Sequence, residues 1–361
     1  VRIPYSLILA FSAAVVTLAL TPIVMRVARG LGALDRPGPR RVHREPVPTL
    51  GGLAMLVAAL VVAWCARLWS PAAQVLEIRA FEGLTLAAVP IVLLGLVDDL
   101  RGCSAWTKLG VQIAAAFVLF RFGFNVPLVS NPFGESIPTG PFNLLLTVGW
   151  VLIVMNAINL IDGLDGLATG VVLIASIAQW WVGRMHGNFY VMFASSILIG
   201  VTGGFLRYNF PPAKIFMGDT GSQFLGLLLA AVSLLDNRKG TATVTLLFPI
   251  VAMAVPIADG LIAFVRRLVH GRPIFRADSE HIHHRLLRLG LSQRDAVFVL
   301  WFVAAYSGIM AIILAMLPPG YALLMGSVMA AGLFFSFEVL EFIDRKLMDR
   351  REVLDEDEVR R

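Results

Sequence analysis

Apolar stretches of close to twenty residues recur along the whole chain, more than a water-soluble core could hide. A helix needs about 20 apolar residues to cross the hydrocarbon core of a bilayer, where only helices or closed barrels can satisfy their own backbone. Eleven candidate spans fall near 5–27, 50–69, 82–97, 106–121, 141–161, 168–184, 188–206, 221–235, 243–265, 296–317 and 320–342. The third and eighth are short or interrupted by glycine, which leaves open tilt, local thinning or a helix that stops inside a cavity. The expected fold is an all-α polytopic membrane protein. Composition agrees, with 58% hydrophobic and 15% charged residues against roughly 25% charged in soluble proteins. The first run begins at Pro4, is too long for a signal-peptide core, and reads as the first transmembrane helix.

Alternating the flanks of eleven spans places 23 of the 30 Lys and Arg residues on one side. By the positive-inside rule that side is cytoplasmic, so the N-terminus faces outside and the C-terminus the cytoplasm. Cys65 and Cys103 then fall on opposite faces, and no disulfide is expected between them. Residues 122–140, with glycines, prolines and short alternating runs, read as a small extracytoplasmic β-hairpin. One transmembrane domain over 1–343 is followed by a charged cytoplasmic tail, 344–361. The net charge of +6 is mainly this orientation signal and an attraction for anionic lipids and substrates. No nucleic-acid module and no GxxxxGK[ST] loop is present, so neither nucleic acid nor ATPase chemistry is expected.

The unusual polar clusters gather on the cytoplasmic side: DRPGPRRVHREPVPTLGG (35–52), VDDL (97–100), NAINLIDGLDGLATG (156–170), RYNFPPAKIFMGDTGS (207–222) and SEHIHHRLLRLG (279–290). Asp98 and Asp99 close a fourteen-residue apolar run. Like charges this close repel, which suits a general base or a pair facing a divalent cation; a water-exposed helix end is the alternative. Asn156, Asn159 and Asp162 are three residues apart and share a helix face, with Asp165 continuing the row if the helix persists. Such an oxygen-rich stripe suits Mg²⁺ or Mn²⁺, against polar glue between packed helices. FMGDTGS can place the Asp219 carboxylate on a metal and aim N–H groups at phosphate oxygens near a helix start, or can simply cap that helix. Asp259 reads as a structural intramembrane partner. Together these carboxylates, amides and cations describe a divalent-metal site for a polyanion, and phosphoryl transfer is the chemistry that uses one.

The ordered set VDDL, KLGVQ (108–112), NAINLIDGLDGLATG, NFPPAKIFMGDTGS and HIHHRLL resembles the polyprenyl-phosphate N-acetylhexosamine-1-phosphate transferases, glycosyltransferase family 4, over most of the chain. The resemblance implies transfer of a sugar 1-phosphate from a UDP-N-acetylhexosamine to undecaprenyl phosphate in the bacterial inner membrane, with Mg²⁺ and release of UMP. Cell-envelope polysaccharide synthesis would start on the product. It implies Asp219 as the main metal ligand and Asn159 as a second, with Asp98 and Asp99 as the catalytic pair. Asp165 would sit near the uracil, Phe216 would stack on it, and Lys108 would touch the pyrophosphate. Asn156, Asp162 and Asn209 match polar positions around the same pocket. Family members can dimerise, so a homodimer is open.

His281, His283 and His284, with Arg285, lie on the longest and most basic cytoplasmic loop. No cysteine or fourth ligand stands near for a closed zinc site, and as N–H donors they suit a pyrophosphate or sugar, with proton transfer or a solvated loop run as the alternatives. HIHHRLL resembles the N-acetylglucosamine-type enzymes. The phospho-N-acetylmuramoyl-pentapeptide transferases typically carry three consecutive histidines, and Ile282 interrupts the run here. Two other classes fit worse: DGLDGLATG lacks the arginine of a CDP-alcohol phosphatidyltransferase, and an ion-coupled transporter would hold its carboxylates near the membrane midplane.

Overall fold

The computed structural model describes residues 4–36, 45–129, 137–235, 254, 257, 260, 282–318, 320–332, 334–336, 338, 339 and 343. All of the ninth expected span but residues 254, 257 and 260, and with it Asp259, lies outside the described residues, as do the tail 344–361, His281 and the side chain of His283. The chain is an all-α, multi-pass membrane protein. Among the described residues, eight helices are long and apolar enough to cross a bilayer.

These eight include α1 (Tyr5–Gly30) and α2 (Gly51–Trp69). A one-turn helix, α3 (Pro71–Gln74), leads into α4 (Ile78–Arg101) and α5 (Ala105–Arg121). Then come α6 (Asn143–Ile161), α7 (Leu167–Met185), α8 (Phe189–Asn209) and α9 (Gly218–Leu235). The short α10 (Ile282–Arg288) precedes α11 (Gln293–Met316). Helix α5, with 17 residues, spans about 25 Å at 1.5 Å per residue, just short of the hydrocarbon core. Helical residues continue between 320 and 336.

The third expected span is not short. α4 begins four residues before 82 and ends four after 97, a total of 24 residues. Hydropathy falls at Asp98-Asp99, but both carboxylates have partners, so the backbone ladder runs on to Arg101 and stops at Gly102. Two short antiparallel ladders are present: Leu34–Asp35 with Val47–Pro48, and Leu128–Val129 with Ile137–Pro138 inside the region expected to form a hairpin.

Helix α9 is the axis of the bundle, with fifteen of its eighteen residues buried between α4, α6, α2 and α8. α1 packs along α8 because Gly200 and Gly204 carry no side chain where Ala10 and Ala14 approach, the small-residue contact that membrane helices use in place of a hydrophobic drive. At the far end of the bundle Arg79 donates to the Arg121 carbonyl (2.9 Å) and lies over the Phe122 ring.

Candidate active site

Among the described residues, the C-termini of α4, α6 and α8 and the N-termini of α2, α5, α7 and α9 meet at the other end. The N-terminus of α9 is fixed first. Leu50, buried and in the left-handed region at φ 73°, turns the chain so that the Gly51 and Gly52 amides donate to the carbonyls of Phe216 and Met217, both at 3.0 Å. Such a conformation costs on the order of 1–3 kcal/mol and persists only where neighbours enforce it. A Cβ at Gly52 would collide with the backbone of Gly221, and one at Gly95 on α4 with Thr220. Two bare helix faces thus let α2 and α4 close on the first turn of α9, which carries Asp219.

Around Asp219 the charges alternate. Lys108 Nζ donates to Asp219 Oδ2 (2.5 Å) and pairs with Asp98 Oδ2 (2.6 Å). Asn159 Nδ2 donates to Asp219 Oδ1 (3.1 Å) and to Ser222 Oγ (2.8 Å). The other Asp98 oxygen accepts the Cys103 amide at 2.6 Å. Asp99 accepts from the Asp219 amide (2.9 Å), the Thr220 amide (3.2 Å) and the Thr220 hydroxyl (2.6 Å). The N–H groups expected to face phosphate at this helix start are therefore taken by a carboxylate. Asp162 caps α6. Its carboxyl is held well above the usual carboxylate range, first by burial and then by the negative charges of Asp219, Asp99 and Asp165.

The expected row of four does not extend to Asp165. α6 ends at Ile161, and Gly166 at φ 74° turns the chain into α7, so Asp165 lies in the turn and accepts the Ala213 amide at 2.8 Å. Asn209 is buried, with Oδ1 accepting from Thr169 (2.6 Å) and Nδ2 donating to the Ile215 carbonyl (3.0 Å). It holds the 210–217 loop that carries Phe216. α11 docks on this loop through Arg294, which donates to the Pro211 carbonyl (3.2 Å) and lies over the Phe210 ring. Trp301 packs where Gly170 lacks a side chain. α10, with His284 half-buried and Arg285 buried, packs against α11.

One layer escaped the sequence reading. Gln112 Nε2 donates to Gln223 Oε1 (2.7 Å), and Asn156 Nδ2 donates to Gln112 Oε1 (3.1 Å) and to the Leu152 carbonyl (2.8 Å). Gln112 and Gln223 stand four residues after Lys108 and Asp219, one turn deeper on the same helix faces. Two amides inside apolar spans, each at that offset from a charged motif residue, were the available signal.

Among the described residues, no three acidic, His or Cys side chains close into a ready-made metal cage. Mg²⁺ keeps waters and uses one or two carboxylates plus substrate phosphate oxygens, and the Asp219 carboxylate is a donor of that kind. Asn159 stands beside Asp219 with its amide nitrogen spent on Asp219 and Ser222, so its carbonyl oxygen is the atom that could bind a cation.

Residues 81–237, which hold Asp98, Asp99, Lys108, Gln112, Asn156, Asn159, Asp162, Asp165, Asn209, Phe216, Asp219 and Gln223, match the model of Glycosyl transferase family 4. A probable undecaprenyl-phosphate N-acetylglucosaminyl 1-phosphate transferase of Bacillus subtilis (strain 168) is 38% identical over 310 residues, covering 85% of each chain. The chain belongs to glycosyl transferase family 4. A decaprenyl-phosphate N-acetylglucosaminephosphotransferase of Mycobacterium tuberculosis is 37% identical over 80% of this chain and 78% of its own. A phospho-N-acetylmuramoyl-pentapeptide-transferase of Streptococcus pyogenes is 29% identical over 74% of this chain and 82% of its own.

Proposed function

We propose that this chain transfers N-acetylglucosamine 1-phosphate from UDP-N-acetylglucosamine to undecaprenyl phosphate. The products are UMP and a lipid-pyrophosphate-linked sugar that starts a cell-envelope polysaccharide. The observation that carries the reading is the cluster of Asp98, Lys108, Asn159, Asp162 and Asp219 at one end of a membrane bundle, in a chain similar along most of its length to transferases of polyprenyl phosphates.

The proposed topology has eleven spans, the N-terminus outside and the cluster on the cytoplasmic face of the inner membrane. Arg29, Arg36, Arg101, Lys108, Arg207, Lys214, Arg285, Arg288 and Arg294 all belong to the cluster's end of the bundle, which supports that orientation. A single transferase domain occupies 1–343, with 344–361 as its tail, and two copies can associate. The site lies at a bilayer edge because a polyprenyl tail stays in lipid while UDP-sugar arrives from water.

A lipid-phosphate oxygen attacks the sugar-proximal phosphorus. The new P–O bond forms as the bond to the bridging oxygen breaks, and UMP leaves with that electron pair. Asp98 takes the proton from the lipid phosphate when it arrives monoprotonated. Lys108, which lies between two carboxylates without substrate, turns to the pyrophosphate. Asp219 and Asn159 would hold Mg²⁺ or Mn²⁺, which supplies charge neutralisation for the pyrophosphate. Asp162 and Asn156 border the pocket, Asp165 and Phe216 address the uracil, and Asn209 holds their loop. His281, His283, His284 and Arg285 grip the sugar or its phosphate.

The test is UMP release by purified protein given UDP-N-acetylglucosamine, undecaprenyl phosphate and Mg²⁺, omitting each in turn. Release that depends on all three is expected, and UMP formation indifferent to the lipid would sink the proposal. A donor panel including UDP-N-acetylmuramoyl-pentapeptide separates the peptidoglycan reading, which the interrupted histidine run and the lower identity disfavour.

A further inference from the structure

We infer that the adjacent carboxylates of VDDL do different work: Asp98 meets the reacting groups, while Asp99 is a positioning residue that holds the first turn of α9 and, through it, Asp219. The inference rests on the proposed reading for the role of Asp219. Its geometry stands independently.

The first amides of a helix have no partner within it and need a cap. In α9 the cap comes from another helix. Asp99 Oδ1 accepts the Asp219 amide at 2.9 Å, and Oδ2 accepts both the amide and the hydroxyl of Thr220, at 3.2 and 2.6 Å. Three donors at a helix N-terminus fix both oxygens in place. The surroundings are built for this contact. Gly218 has φ 67°, and a Cβ there would lie 2.7 Å from Asp99 Oδ1 and 2.8 Å from its Cγ, so glycine is required by backbone and by space. Gly95, one turn before Asp99 on α4, is bare where a Cβ would stand 2.5 Å from the Thr220 nitrogen.

Asp98 is turned about 100° away on the same helix. Its Oδ2 meets Lys108 at 2.6 Å, on the side where Asp219 presents its own carboxylate. A carboxylate engaged by three fixed donors is poorly placed to collect a proton from a mobile phosphate, whereas one held by a single amide and a lysine, beside the Asp219 side chain, can exchange partners as substrate enters.

Hydrogen–deuterium exchange on the full-length protein in detergent, with Asp99→Ala, Asp99→Asn and Asp98→Asn, tests the division directly. In Asp99→Ala the Asp219 and Thr220 amides should exchange about five- to tenfold faster, as expected for a lost cap, and in Asp98→Asn they should not change. In UMP release, Asp99→Ala should lower kcat by about 10- to 100-fold with the acid limb of its pH profile unmoved. Asp99→Asn, which keeps a carbonyl acceptor, should recover part of that loss, while Asp98→Asn should flatten the acid limb. Unchanged exchange in Asp99→Ala, or an acid limb abolished by Asp99→Asn, overturns the inference. Thr220→Val removes only the hydroxyl bond and serves if Asp99→Ala does not fold; unaltered exchange there also counts against it. Absence of UMP with the wild-type chain would defeat the transferase reading alone and leave the exchange result standing.

Discussion

Lys108 occupies the position where a cation is most needed, with its ammonium 2.5 Å from one carboxylate oxygen of Asp219 and 2.6 Å from one of Asp98. On the proposed reading it would compete with a metal for Asp219 and attract the pyrophosphate. Lys108→Met, similar in volume but uncharged, is expected to bind Mn²⁺ more tightly without substrate, seen by paramagnetic resonance titration, while KM for the UDP-sugar rises about tenfold or more. Weaker Mn²⁺ binding would mean that Lys108 supports the metal site and does not compete for it. Asp162 makes a second residue-scale prediction. Its raised pKa means the folded chain keeps the proton longer than the unfolded one, so its contribution to stability is lost as pH rises above the ordinary carboxylate value of about 4. Asp162→Asn does not titrate. With a chelator present, its Tm advantage over wild type should grow from pH 4 upward; an advantage independent of pH would remove the electrostatic explanation.

At the scale of elements, the amides of Gln112, Gln223 and Asn156 lock α5, α9 and α6 in register one turn beneath the charged groups. Gln223→Leu leaves Gln112 buried without its best acceptor, which costs about 1–3 kcal/mol. Gln112→Leu/Gln223→Leu removes both groups and should recover most of that loss in thermal unfolding in detergent, yet leave transfer slow because the register is no longer specified. Recovery of both stability and rate would show that apolar packing alone sets the register. The same scale explains what the sequence hid. Hydropathy located the spans, but α4 runs four residues beyond its apolar stretch at each end, because helical hydrogen bonding continues wherever polar side chains find partners. Likewise, the Asn156-Asn159-Asp162 spacing was legible, while the break before Asp165 depends on Gly166 and on the Ala213 amide across the turn.

For the whole molecule, the two cysteines report orientation. Both are free, Cys103 beside Asp98 at the cluster's end and Cys65 in the last turns of α2 near the other. In a Cys65→Ser background, an impermeant maleimide should label Cys103 in inverted membrane vesicles and not in intact spheroplasts. The reverse pattern would invert the proposed topology.

The sequence by itself determined that this chain crosses a membrane many times and that its carboxylates, amides and basic residues collect at one set of helix ends, since period, hydropathy and charge asymmetry are local quantities. It also carried the family, through motifs in a fixed order. Which of two adjacent aspartates faces the Asp219 carboxylate and which caps its helix was decided only in three dimensions. The choice depends on how deeply α2 and α4 sink onto α9 at Gly52 and Gly95, and a bare glycine in a helix does not announce which neighbour will fill the space beside it.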